Sequence, residues 1–439
     1  MAAFDEKEYT QAFDWSIWKR LLPILARFRG TIVGMIVFLA LSALVDVCFP
    51  LFQKHAISHF IEAGTLEGLA PFVLVYLCAI LLQGVIVVVS ARQAMHIEMY
   101  MGRDLRKDLF EHLQTLSLSF YNVTPVGYLL TRITNDTNRI AGNIAWGLMD
   151  LCDALFYVTG SFAAMLLLNW QLALVVILVV PFVAALTGWF QPRILHWTRK
   201  VRKINSKITG AFNEGITGAK TSKTLVIEDQ SIQGFRELTG GMNRSAVRAA
   251  RLNAVYIPMT LFFSSLTVAI VLLRGGYLTV GQVLDIATLS AFISYAMNIF
   301  EPIQNLTANL AEFIAIQASI ERVTGLLEEK PQITDTPEVV EKYGDAFNPK
   351  RENWEPIKGD IEFRDVTFRY PDGGDNVLEH FSLHIPAGAT VAIVGETGAG
   401  KSTLVNLACR FFEPTEGQIL IDGRDYRERS QLWLHSNIG

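Results

Sequence analysis

Thr390-Val-Ala-Ile-Val-Gly-Glu-Thr-Gly-Ala-Gly-Lys-Ser-Thr403 is the stretch on which the reading of this chain turns. Residues 390–394 form a short continuous apolar run, the pattern of a strand buried on both faces. Downstream, Leu404, Leu407, Ala408 and Phe411 mark one face of a helix. Between them, Gly395–Ser402 has the spacing G-x-x-x-x-G-K-S in the strand–loop–helix setting that a phosphate-binding loop requires. Each residue type has a physical reason. Gly395, Glu396, Thr397, Gly398, Ala399 and Gly400 form a loop whose glycines let backbone N–H groups wrap phosphates. The N-terminus of the following helix adds partial positive charge. Lys401 reaches the outer phosphates, and Ser402, next to Thr403, offers a hydroxyl to Mg²⁺. The expected cofactors are therefore ATP and Mg²⁺.

On the N-terminal side of the loop, Asp360–Tyr370 alternates, with Ile361 and Phe363, then Val366, Phe368 and Tyr370 apolar. Phe381, Leu383 and Ile385 repeat the pattern, and both segments read as strands. Gly417–Gly423 reads as a further short strand ending in an Asp-Gly turn. Residues 359–439 thus form the N-terminal part of an α/β nucleotide-binding domain. Before them, residues 321–358 are charged and punctuated by Pro331, Pro337, Pro349 and Pro356, as in an interdomain linker.

Residues 31–320 differ in kind. The whole chain is 51% hydrophobic and only 18% charged, and its mean hydropathy of +0.31 points to lipid. A net charge of -4 argues against nucleic acid as a partner. A span needs about 20 mostly apolar residues. Six stretches qualify: about 31–52, 69–90, 144–168, 172–190, 254–273 and 283–300. The third and fourth are joined by Asn169-Trp170-Gln171, a tight hairpin. The connection at 92–143 carries six Lys or Arg residues, and the one from Arg193 to Arg251 carries twelve. The other connections hold Lys54, none, and Arg274. The positive-inside rule then puts both basic segments, the N-terminus and the nucleotide-binding part in the cytoplasm. Residues 1–30, with Phe13, Ile17, Leu21, Leu25 and Phe28 at helical spacing, read as a helix lying on the membrane surface.

The two basic segments keep helical spacing, as at Leu105, Leu109, Leu113 and Leu116, and so extend well beyond a bilayer. Each has a break, at 122–127 around Pro125 and at 215–223. Cys48, Cys78, Cys152 and Cys409 have neither zinc nor CxxC spacing and read as small buried hydrophobes. Acids inside spans are functional candidates: Asp46, Asp150, Asp153, Asp285 and Glu301, set against Arg92 and Arg274 as possible counter-charges. Glu301-Pro302 is a candidate kink. Phe292, Tyr295 and Phe300 are expected to pack more than to line a cavity.

With these residues in view, the chain resembles the ATP-binding cassette exporters of the half-transporter type. Gly395–Thr403 looks like that family's Walker A motif. Val366-Thr-Phe-Arg-Tyr370 looks like its A-loop, which implies that Tyr370 stacks on adenine. Ser119–Gly127 with Leu130–Asp136, and Asn213–Lys220, resemble the two coupling regions through which the cassette moves the spans. The fold implied is an all-α six-helix membrane domain with long cytoplasmic extensions, followed by a P-loop NTPase domain. The activity implied is ATP-driven export of a hydrophobic or amphipathic drug, lipid or peptide by alternating access. The partners implied are a second half-transporter, as homodimer or heterodimer, and the lipid bilayer, in a bacterial inner or plasma membrane. Residues 1–439 do not contain the family's Q-loop glutamine, Leu-Ser-Gly-Gly-Gln signature, Walker B glutamate or switch histidine. No catalytic residue is therefore assigned. The expectation is a truncated cassette that binds nucleotide poorly and hydrolyses nothing alone. A non-pumping ATP-gated regulator or channel, and a membrane-anchored P-loop enzyme such as a kinase, are the competing readings.

Overall fold

The computed structural model describes residues 14–370 and 373–438, so Phe13 and Gly439 lie outside it. Helix α1 (Trp15–Ala26) starts at Asp14, whose carboxylate accepts the Ser16 N–H at 2.8 Å. Ile17, Leu21 and Ile24 are buried on one face, while Trp15 and Leu22 are exposed.

Helix α2 (Arg29–Ala56) continues into a π-helical turn at Ile57–Glu62. Helix α3 (Leu69–Thr115) has 47 residues, about twice what a bilayer needs. Two short helices follow, α4 (Leu118–Val123) and α5 (Val126–Thr131). Pro125, extended at φ -62 and ψ 133, caps α5 and separates the two, because proline forces the residue before it out of helix. Two π turns, Arg132–Asp136 and Asn143–Gly147, bracket α6 (Thr137–Gly142) and lead into α7 (Leu148–Leu168).

Between the third and fourth spans, Asn169 alone makes the turn that the sequence suggested would take three residues. Its side-chain oxygen accepts the N–H groups of Gln171 and Leu172, so α8 (Trp170–Thr217) begins at once. The second break consists of Gly218, the short α9 (Ala219–Leu225) and Val226 at φ 54. Helix α10 (Glu228–Val280) then returns through the fifth span. The sixth span begins at α11 (Ile286–Asn298), later than its first apolar residue, since Gln282 is at φ 58 and Asp285 is extended. At Ile299 the helix is interrupted before α12 (Phe300–Leu327). Pro302 explains the break: it has no N–H for the carbonyl of Asn298, and its ring crowds that carbonyl.

Among the described residues, six helical runs are long and apolar enough to cross a membrane. The chain forms two compact units, one of residues 14–101 and 140–317, the other of residues 102–139 and 318–438. In the first, Met165, Leu172, Val176, Val271, Phe292 and Tyr295 form a core among α7, α8, α10 and α11. Phe292 and Tyr295 are wholly buried and Phe300 nearly so, which bears out the packing expectation. Tyr295 also donates its hydroxyl to the Val47 carbonyl at 2.5 Å. Outward-facing Leu81, Val88 and Leu167 are exposed, as lipid-facing residues must be.

The second unit holds α13 (Pro337–Tyr343) and a four-stranded antiparallel sheet. Its strands are β1 (Ile361–Phe368), β2 (Leu378–Ile385), β3 (Glu416–Ile421) and β4 (Arg424–Asp425), in the order β2-β1-β3-β4. The change of phase between Phe363 and Val366 is a β-bulge, with Asp365 at φ 50. Facing it, Gly417 is at φ 84, and a Cβ there would run into the carbonyls of Arg364 and Asp365. Phe363, Val366, Phe368, Ile419 and Ile421 face a core completed by Leu404 and Leu407 of α14 (Lys401–Ala408) and Trp433 of α15 (Gln431–Asn437).

One expected strand is absent. Residues 390–394 join no strand, and Val391, Ile393 and Val394 are exposed. A continuous apolar run needs strand neighbours and a cover on both faces. Among the described residues none lies beside it, and the sheet closes on β2 and β4 instead.

Candidate functional site: the phosphate-binding loop and its supports

The loop is built on backbone that only glycine tolerates well. Gly398 and Gly400 sit at φ 93 and φ 84. At Gly400 a Cβ would also press on Val377 Cγ1 at 3.3 Å, so the loop enters the helix where β2 approaches it. Helix α14 starts directly at Lys401, with no side chain capping its first turn. Its first N–H groups therefore remain free to accept an anion. Lys401 folds back over the loop, its Nζ donating to the carbonyls of Gly395 at 2.8 Å and Glu396 at 2.6 Å. The Ala399 N–H closes the turn on Glu396 O at 3.2 Å. Ser402 and Thr397 are exposed. Thr403 is buried, and its Oγ1 lies 2.9 Å from the Tyr370 hydroxyl. The loop, the lysine and Tyr370 are thus brought together at one end of α14.

Tyr370 is half-buried, its ring edge-on to Phe368 and Phe412, with centroids 4.9 and 5.1 Å away. Behind the loop, burial pushes the Cys409 thiol up, so it is an inert small hydrophobe, not a nucleophile.

The supports of this site extend into the segment read as linker. Arg410, 2% exposed, donates to Asp335 Oδ1 at 2.8 Å and to Glu413 Oε1 at 2.9 Å. Trp433 Nε1 donates to the Glu355 carbonyl at 2.7 Å. Residues 333–355 therefore pack on the nucleotide-binding segment and do not swing free of it. Asp422 accepts the backbone N–H groups of Lys358 and Asp360 at 2.8 and 3.0 Å. Partial burial would raise its carboxyl, but these bonds outweigh that and hold it below its ordinary value.

The first coupling-like region is fastened by charge. In the π turn, Arg132 meets Asp136 at 2.7 Å, and Arg322 of α12 meets the same carboxylate at 2.9 Å. Arg132 also lies over the Tyr128 ring at 4.2 Å. Nearby, Leu109, Leu113, Leu129 and Leu326 form a small apolar cluster, and Ser119 donates to Gln332 at 2.6 Å. The sequence reading missed Arg322. Its signal was available: Ile316, Ile320, Val323 and Leu326 keep helical spacing with no proline until Pro331.

Asp285 and Glu301 stand apart from the other intramembrane acids in the roles they take. Asp285 is the N-cap residue of α11 and Glu301 lies exposed in the first turn of α12. Among the described residues no ion pair joins any of the five acids to Arg92 or Arg274. Asp46 instead accepts from Gln83 Nε2 at 2.8 Å.

These features define a class. The profile for the ABC transporter transmembrane region matches residues 32–303, more than half of the chain, and the ABC transporter profile matches residues 378–439. The chain therefore belongs to the ABC transporters, the ATP-binding membrane transporters whose spans are driven by a cassette. Within them it is of the half-transporter type, with one six-helix membrane domain followed by one cassette. It is similar to an uncharacterized ABC transporter ATP-binding protein of Bacillus subtilis, 28% identical over 423 residues, 96% of this chain and 68% of the relative. It is also similar to the ATP-dependent lipid A-core flippases of Escherichia coli and Sodalis glossinidius, 26% identical over 426 residues, 97% of this chain and 70% of each relative.

Proposed function

We propose that the protein uses ATP to export a hydrophobic or amphipathic molecule, as one half of a dimer. The observation that carries the reading is the positive-φ loop at Gly398 and Gly400 feeding a helix that begins at Lys401, in a chain with six membrane-length helices. The lysine's three donors currently serve two carbonyls and can turn to phosphate oxygens without rebuilding the loop. Bound ATP supplies the free energy of its binding and hydrolysis. The Ser402 hydroxyl, exposed at the first turn, is positioned to hold Mg²⁺ beside the phosphates. Tyr370, whose hydroxyl is anchored on Thr403, offers its ring to adenine. We read residues 359–439 as the cassette segment, 31–320 as the membrane domain, and helix α1 (Trp15–Ala26), within 1–30, as the interfacial helix. The basic segments 92–143 and 193–251 support a cytoplasmic cassette by the positive-inside rule, and we read the membrane as a bacterial inner membrane.

The second subunit is what the half-transporter type implies, since this chain matches one membrane region and one cassette profile. Two of the relatives named above are lipid A-core flippases, which supports a lipid-like cargo here as well. The test is ATP binding by the full-length protein in lipid nanodiscs, read with a photoreactive ATP analogue. Wild type is expected to label, with labelling competed by ATP and lost in Lys401→Ala. Equal labelling of both proteins would remove the loop from the nucleotide site.

A further inference from the structure

A cavity of about 660 Å³ opens in the membrane unit among α2, α3, α7 and α11. Its size is that of a drug-like ligand. Phe49 and Phe52 enter it from α2, Phe72 and Tyr76 from α3, and Tyr157 from α7. The rings are already assembled: Phe52 lies edge-on to Tyr76 at 5.7 Å and to Phe72 at 6.1 Å, and Phe49 lies edge-on to Tyr76 at 5.7 Å. Gln53 adds a neutral polar wall, held by Ser290 and Ser294 at 2.7 Å each.

Asp46 is the acid in this lining, and among the described residues no Lys, Arg or His lines the cavity. The carboxylate's partner is a neutral amide. Gln83 Nε2 donates to Asp46 Oδ2 at 2.8 Å and is shared with Ser42 Oγ at 3.0 Å. Asp153, four residues before Tyr157, presents a second acid on the same face of α7. A carboxylate in apolar surroundings is costly unless a positive charge meets it. Aromatic faces attract cations, and most strongly where water is scarce. Carboxylate and rings therefore select for the same ligand chemistry.

We propose that this cavity binds a lipophilic organic cation, with Asp46 as the charge partner and the aromatic wall as its cage. The inference rests on the transporter reading above and narrows its cargo from amphipathic molecules in general to cationic ones.

The test measures binding of radiolabelled tetraphenylphosphonium to the full-length protein in nanodiscs without nucleotide, with triphenylphosphine oxide as the neutral probe. Wild type is expected to prefer the cation by about tenfold or more. Asp46→Asn is expected to raise the Kd for the cation by about tenfold while changing that for the neutral probe by less than about twofold. Asp46→Glu should restore most of the preference. Equal affinity of wild type for both probes overturns the proposal and needs no variant. An Asp46→Asn protein that binds the cation like wild type overturns it too, as does one that loses both probes alike. Because no nucleotide is present, the two readings fail separately. Cation binding without ATP-driven transport would sink the transporter reading, and ATP-driven transport without cation preference would sink this one.

Discussion

The two units of this molecule treat buried charge in opposite ways. In the unit of residues 102–139 and 318–438, buried charges meet partners of opposite sign. Asp136 sits between Arg132 and Arg322, and Arg410 sits between Asp335 and Glu413. In the membrane unit, the hydrogen-bond partner of half-buried Asp46 among the described residues is the neutral amide of Gln83. The first arrangement fastens segments distant in sequence, since Asp136 and Arg322 are 186 residues apart and Arg410 and Asp335 are 75 apart. The second leaves a carboxylate's charge uncancelled at the wall of a cavity. Paired charge here is a fastener, and the carboxylate without a counter-charge is the one we propose as a binding feature.

That contrast breaks most visibly at Asp136. Asp136→Ala removes the carboxylate shared by buried Arg132 and half-buried Arg322, and we expect a loss of about 3 kcal/mol in stability, read as a fall in the denaturation midpoint of the purified protein. Replacing all three charges with apolar residues of similar size should recover most of that loss. Next comes Arg410→Met, which leaves Asp335 and Glu413 without their buried partner. Both acids are more exposed than the arginine, so we expect a smaller cost, about 2 kcal/mol by the same measurement.

Asp46→Asn sharpens the other side. Its partner is neutral and an amide oxygen can still accept from Gln83, so stability should change by no more than about 1 kcal/mol. A loss as large as that at Asp136 would mean that Asp46 is a fastener after all. A similarly small effect belongs to Asp422, whose bonds come from exposed or half-buried backbone. Asp422→Ala should cost about 1 kcal/mol at neutral pH. Its folded-state carboxyl is lowered, so the stabilisation is present above the ordinary value of about 4 and is lost as pH falls through the folded value. The charge-dependent part of the Asp422→Ala penalty should therefore vanish in acid, leaving the pH-independent cost of alanine at φ 51.

Six membrane-length helices were legible in the sequence because lipid imposes a coarse requirement, about 20 apolar residues, that composition alone meets. The breaks at Pro125, Gly218 and Pro302 were legible because proline and glycine act locally. The bulge in β1 left a slip of phase between Phe363 and Val366 in the sequence, but the stretch reads there simply as an alternating strand. The 390–394 run was misread. Its hydrophobicity reports a need for cover on both faces, and hydrophobicity does not say which residues provide it. In the 1–439 polypeptide its amides should exchange with solvent far faster than those of β1. Arg322 and Asp335 were missed for a related reason. Charged and proline-rich composition resembles a solvated linker, whereas their partners lie far away in sequence.

The central claim is that the Gly395–Ser402 loop powers movement of cargo through the six spans. Its most direct measurement is ATP-dependent uptake of amphipathic fluorophores into inside-out vesicles containing the full-length protein, wild type against Lys401→Ala at equal membrane insertion. The account predicts ATP-stimulated uptake in wild type and none in Lys401→Ala. Equal ATP-stimulated uptake in the two would contradict it.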